Sequence, residues 1–442
     1  MTAYVSAVAL ARPSPSDERR AREIGAQAYI YGLALLEEQR VIVNFPANLL
    51  INVTELSTPA EKLVRLPNVD TLYTVARLEL RDGPFVLHVP DTHGRYYTLQ
   101  LIDAYTNTFG YIGRRVTGTH PGNFAIVAPG WRGALPAGVR RIKSPTPTVW
   151  VLGRTLVKSA ADLANAQQVQ RQYTLTSVSG FGGPPRAALF LTKSALRPAP
   201  LPTGLAFYDA MDAAMQRNPP PRADAPLLRR MASVGLGPGR SPSSERLNLA
   251  TRRGLEAGLI LGGQLLDRYA TRLKVASERS HNGWLVPPKD TGDYGTDYLL
   301  RAYVASTATA SNVPAEAVYP QTSVDDMLAP LSGRDRYLLH FAAGRLPPVN
   351  AFWSLTMYDK GLFLVPNPID RYAIGDRTAG LRRNRDGSLD ILLQHAVPRR
   401  DGSNWLPAPA GRFIVALRLY QPKNSVLHGS WPLPKITRLG RR

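Results

Sequence analysis

The chain has no cysteine in its 442 residues. That single absence removes thiol nucleophiles, thiolate zinc sites, iron–sulfur clusters and disulfides. It fits a cytoplasmic chain, and equally an exported one large enough to fold without covalent staples. Long apolar runs are missing as well, since none approaches the roughly 20 residues that span a bilayer. Histidine is sparse, with seven scattered along the sequence. Only His88 and His93 are near neighbours; they flank an expected turn, where a shared metal and two exposed strand-end rings both remain open readings, and no metal ligand is assigned. No G-x-S-x-G elbow, S-x-x-K, Walker loop, H-E-x-x-H or strand-linked G-x-G-x-x-G occurs, and the identity of any cofactor stays unknown.

Negative charge is scarce too. Asp and Glu number 33 against 54 Lys and Arg, a formal charge of +21. A positive field favours acidic partners, an acidic polymer among them. The basic blocks RRARE, RNPPPRADAPLLRR, LRRNR and RLGRR come without zinc-finger spacing, an aromatic RNA-binding signature or a recognition-helix pattern. A solvated arginine surface explains them equally well. The N-terminal VSAVALA, ending in Ala-Leu-Ala, imitates a signal-peptidase site without a basic leader. It leaves export open beside a cytoplasmic location.

Proline and glycine are plentiful, at 38 and 36, and favour many turns and short strands. The length predicts two to three domains. Residues 16–45 read as a helix, with Ser16 and Asp17 able to cap it. LYTVARLEL then alternates, Leu72, Thr74, Ala76, Leu78 and Leu80 on one face and Tyr73, Val75, Arg77 and Glu79 on the other. FVLHV, RYYTLQLID, NFAIVAPG and TVWVLGRT continue as strands between turns. ADLANAQQVQRQY and RLNLATRRGLEAGLILGGQLLDRYATRLK are helix-like, separated by the proline-rich RPAPLP and RNPPPRADAP. AFWSLTMYD, FLV, SLDILLQ and RFIVALRLY return to strands. The expected organisation is mainly β with a helical middle: a helical segment at 1–50, a β-sandwich at 51–155, a helical region with proline-rich connectors at 156–314, and a second sandwich or jelly roll at 315–442.

NVDTLY, LRDGPFVLHVPDTHGRYYTLQLIDAYTNTFGYIG and GNFAIVAPGW in the first β region, with LPPVNAFWSLTMYD, NPIDRYAIGDR, DGSLDILLQ and NWLPAPAGRF in the second, carry a resemblance. The chain resembles a bacterial pairing of domain of unknown function 1254 at the N-terminus with domain of unknown function 1214 at the C-terminus. The resemblance implies an immunoglobulin-like N-terminal sandwich, a helical middle and a C-terminal jelly roll, with many relatives exported; it implies no reaction. One departure falls at VDDMLAPLSG, where relatives usually carry glycine near Leu328, so the local turn is expected to differ.

Chemistry concentrates in PNVDTLYTV. If the strands from 71 to 103 formed an up-down-up meander, Asp70, Asp91, His93 and Arg95 would share one end of the sheet. Asp103, Tyr105, Thr106 and Asn107 would lie at the other, roughly 26 Å away, too far for a paired-carboxylate device with Asp70. An Arg95 fork on Asp70 reads as a structural ion pair, or as a site in which Asp70, Arg95 and Tyr73 are catalytic and Asn68, Thr71 and Tyr97 bind a ligand. Asp103, Tyr105 and Asn107 offer a second polar and aromatic surface suited to a sugar or small organic ligand. In AFWSLTMYD, Phe352, Ser354, Thr356 and Tyr358 share one face and Trp353, Leu355 and Met357 the other. Trp353 and Tyr358 join the ligand-binding candidates, while Ser354 has no histidine near it in sequence. The expected function is a hydrolase of a small polar or ester-like substrate in a pocket at a domain junction; the alternative is a non-catalytic, envelope-associated binder of carbohydrate or polyanion. The partners left open are a small polar molecule or sugar, an acidic polymer, and a second copy of the chain in a homo-oligomer.

Overall fold

The computed structural model describes residues 15–63, 65–192, 197–398 and 402–441. The VSAVALA stretch weighed above as an export signal lies outside them. Two compact units divide the chain: residues up to Leu36 with 201–268, and 37–200 with 269–442. Seven α-helices occur among the described residues: α1 (Pro15–Ile42), α2 (Leu163–Arg171), α3 (Leu205–Arg217), α4 (Ala225–Ala232), α5 (Leu249–Ser280), α6 (Tyr298–Thr307) and α7 (Asn424–Leu427).

The first unit is helical. Asp17 and Glu18 sit in the first turn of α1, where carboxylates complement the exposed amides. Gly254, Gly258 and Gly262 of α5 recur every fourth residue and face α1. A Cβ on Gly258 would stand 2.9 Å from the Ala26 amide and the Arg22 carbonyl, so only glycine permits this approach. Tyr208 of α3 seals the same seam, its hydroxyl donating to the carbonyls of Gly25 and Leu255 at 3.1 and 2.9 Å.

The second unit holds the strands. The N-terminal set is β1 (Ile51–Val53), β2 (Thr71–Glu79), β3 (Phe85–Val89), β4 (Tyr97–Asp103), β5 (Thr108–Gly113), β6 (Gly122–Val127), β7 (Val139–Lys143), β8 (Thr148–Leu156), β9 (Thr174–Ser177) and β10 (Leu189–Leu191). They form two sheets, ordered β10-β1-β2-β8-β4-β5 and β7-β6-β3-β9. The expected meander is not formed. A 3-10 turn at Leu80–Asp82 and Gly83, at φ 117°, lead the chain out of the first sheet, so β3 joins the second. The place between β2 and β4 is taken by β8, every residue of which is buried. Leu78, Leu99, Leu101 and Val151 of the first sheet share one core with Leu87, Phe124, Ile126 and Leu175 of the second. The other face of the first sheet is apolar as well: Val75, Trp150 and Leu152 pack with Val41, Phe45 and Ile51.

The C-terminal set is β11 (Ala317–Val318), β12 (Gln321–Thr322), β13 (Asp335–Phe341), β14 (Val349–Asp359), β15 (Ala373–Gly375), β16 (Leu389–Gln394), β17 (Trp405–Pro407), β18 (Phe413–Pro422) and β19 (Ile436–Arg441). One sheet runs β11-β18-β14-β15 with β12 also on β18; the other runs β17-β16-β13-β19. FLV forms no strand; it contributes only an isolated bridge between Tyr358 and Leu364. The alternation of β14 splits its faces as the sequence suggests. Trp353, Leu355 and Met357 enter the core shared with Leu339, Ile391 and Leu393, while Phe352 and Tyr358 turn the other way.

Candidate functional site

Asp70 is 5 % exposed at the start of β2. Its carboxylate accepts from Ser354 Oγ at 2.6 Å and from Arg377 Nη2 at 2.7 Å, so it ties the N-terminal rim to the outward face of β14. Arg95 does not reach it. The Arg95 guanidinium forks onto Asp162 at 2.5 and 2.8 Å and donates to the Leu156 carbonyl at 2.7 Å. The physical reason is β8: its C-terminal end lies between β2 and β4 and delivers the 160–162 turn to Arg95 first. The hydrogen bonds from Arg95 hold the Asp162 carboxyl well below the usual carboxylate range. The two strand starts do share one end of the sheet, as Thr71 and Tyr97 pair with adjacent residues of β8.

Asn68 organises its own turn. Its Oδ1 accepts from the Asp70 and Thr71 amides at 2.9 and 2.8 Å and from Thr71 Oγ1, while its Nδ2 donates to Tyr73 Oη at 2.7 Å. Tyr97 points elsewhere, into the core between the sheets, with its hydroxyl on the Gly118 carbonyl. Asp103 closes a turn at the far end, accepting from the Tyr105 and Asn107 amides at 2.9 Å each, with Thr106 at φ 65°. Burial pushes its pKa up to about 6. Trp353 lies in the C-terminal core, and Tyr358 donates to the Pro67 carbonyl at 2.8 Å.

A cavity of about 160 Å³ opens against the outer face of the first sheet. Val75, Trp150 and Leu152 form its floor, with Phe45, Ile51 and Leu285 among its walls. Asn68 and Tyr73 of the candidates line it; Asp70, Arg95 and Ser354 do not. Among the other polar residues of this lining, two come from the middle of strands: Arg154 of β8 and Arg418 of β18. Burial pushes the Tyr73 hydroxyl up, while both guanidinium groups pull it the other way. Both arginines lie in segments, TVWVLGRT and RFIVALRLY, whose patterns are those of plain strands. The signal lay there, since a charged side chain inside an otherwise apolar strand is costly unless something needs it.

Residues 47–177 match the family described as "Protein of unknown function (DUF1254)", and residues 316–424 match "Protein of unknown function (DUF1214)". No curated protein matches the chain. The fold is similar to that of the VPA0106 protein from Vibrio parahaemolyticus, at 23% identity and a TM-score of 0.70, over 95% of this chain and 100% of that one. An uncharacterized protein from Burkholderia cenocepacia aligns at 12% identity and a TM-score of 0.48, over 96% and 95% of the two chains. With the two matches falling in order on the two β regions that build the site, the chain belongs to the family that pairs domain of unknown function 1254 with domain of unknown function 1214.

Proposed function

We propose that the protein binds a small, mostly apolar molecule in the cavity floored by Val75, Trp150 and Leu152. The observation that carries this reading is the lining itself: aliphatic and aromatic side chains with a few convergent polar groups, the usual make-up of a small-molecule site. Its volume is close to the engineered, apolar cavity of about 150 Å³ that takes up benzene. A body the size of one aromatic ring or a short alkyl chain therefore suits it. We read the enclosing β regions, within the limits 51–155 and 315–442, as an immunoglobulin-like and a jelly-roll-like sandwich. Support comes from each pair of sheets sharing one core.

The test is saturable binding of the neutral one-ring dye 4-(dimethylamino)benzonitrile, whose size matches the cavity, read from its emission in apolar surroundings. Leu152→Trp fills the floor and is expected to weaken binding by about tenfold or more. A dye that does not bind the folded wild-type protein, or binds both proteins alike, removes the reading.

Ester hydrolysis is the second reading, and one observation favours it: Ser354 Oγ stands 2.6 Å from the Asp70 carboxylate, the arrangement of a hydroxyl beside a base. It asks for turnover of p-nitrophenyl acetate that disappears in Ser354→Ala. The cavity lining excludes both residues, so binding is the better supported of the two.

A further inference from the structure

Arg154 and Arg418 are 6 % and 4 % exposed, and among the described residues neither forms an ion pair. Arg154 donates to Gln100 Oε1 at 2.9 Å, Asn312 Oδ1 at 3.3 Å and the Ala310 carbonyl at 3.1 Å. Arg418 donates through Nη2 to the Leu66 carbonyl and Tyr358 Oη, both at 2.5 Å, and its Nε has no partner. Every one of these acceptors is neutral. A buried cation surrounded only by neutral groups is expensive, and chains normally retain one where a counter-charge meets it.

The neighbouring carboxylates are engaged elsewhere. Asp70 is held by Arg377 and Ser354, and Glu316 by Arg115 and Tyr96. Glu61 is the lining's one carboxylate; it accepts from Ser57 and pairs with neither guanidinium. The lining thus carries Arg65, Arg154 and Arg418 against Glu61. The two buried cations are also coupled. Asn312 accepts from Arg154 and donates to Tyr319 Oη at 2.5 Å, and the Tyr319 ring lies 5.0 Å from the Arg418 guanidinium. Both strands are hydrogen-bonded on either edge, so the two charges are presented on fixed supports.

We infer that the molecule taken into the cavity carries an oxyanion, a carboxylate being the simplest, held by Arg154 and Arg418 with its apolar body against Val75, Trp150 and Leu152. This rests on the reading of the cavity as a ligand site. Charge-assisted hydrogen bonds to guanidinium supply the missing counter-charge, and the apolar walls make that bond stronger than it would be in water.

The experiment compares phenylacetate with phenylacetamide, which has nearly the same shape and no charge, each displacing 4-(dimethylamino)benzonitrile from the full chain. Phenylacetate is expected to displace the dye at about a tenfold lower concentration or less. In Arg418→Met that ratio is expected to collapse to about one. The wild-type comparison decides the matter alone if the variant does not fold. Dye that binds while the carboxylate does no better than the amide overturns the oxyanion and leaves the apolar site standing. Dye that never binds overturns both.

Discussion

Asp70 was the residue the sequence made most conspicuous, and its surroundings explain why. A carboxylate at a strand start beside Asn68 and Thr71 needs a partner, and the fold brings Ser354 and Arg377 to it across about three hundred residues of sequence. Asp70→Asn removes the charge that Arg377 faces and is expected to cost about 1–3 kcal/mol in urea denaturation. An unchanged midpoint would show that the bridge contributes nothing to stability. Leu328 offers the opposite kind of test. It holds φ 61° in a turn where Asp325 accepts from the Met327 and Ala329 amides, a conformation costly for a leucine. Leu328→Gly is expected to raise stability by about 1 kcal/mol, read from the same denaturation curve.

Elements were more legible than their partners. The helix over 16–45 and the strands FVLHV, RYYTLQLID, NFAIVAPG, AFWSLTMYD and RFIVALRLY show in the sequence because alternation and turn residues are local signals. Sheet order was not legible, since whether β3 or β8 lies beside β2 is set by long-range burial on both faces of the first sheet. That one difference moved Arg95 from Asp70 to Asp162 and placed Arg154 on the cavity floor. The candidate site was correspondingly half visible: Asn68 and Tyr73 line the cavity, whereas Arg154 and Arg418 looked like ordinary strand residues. The glycine spacing of α5 is a further local signal with a measurable consequence. Gly258→Ala drives a methyl group into the α1 backbone and is expected to cost about 1–3 kcal/mol, more than helix propensity returns. A gain in melting temperature would mean that the two helices can move apart freely.

For the molecule as a whole, buried acids raised on folding shape the expected response to pH, Asp103 and Asp212 among them beside Glu38. Desolvation raises Asp103 to about 6 and Asp212 to about 8, both above the value of 3.8 for an exposed aspartate. An acid raised on folding contributes stability that is complete below its unfolded pKa and lost as pH climbs through its folded one. The melting temperature is therefore expected to fall between about pH 4 and about pH 8, where the unfolded state has lost protons that the folded state keeps, and Asp212→Asn to flatten the upper half of that decline. A wild-type profile that is level over this range contradicts the assignment.

The central strand β8 has one more consequence. Its amides and carbonyls are laddered to β2 on one edge and to β4 on the other, and all of its residues are buried. Protons on those amides should exchange only when the second unit opens globally, making 148–156 among the slowest segments in a deuterium-labelling course. A wall that cannot breathe also cannot serve as a door. Other parts of the lining, Pro287, Pro288, Thr291 and residues 307–311, lie outside the strand ladders, and the way in and out of the cavity should run past them.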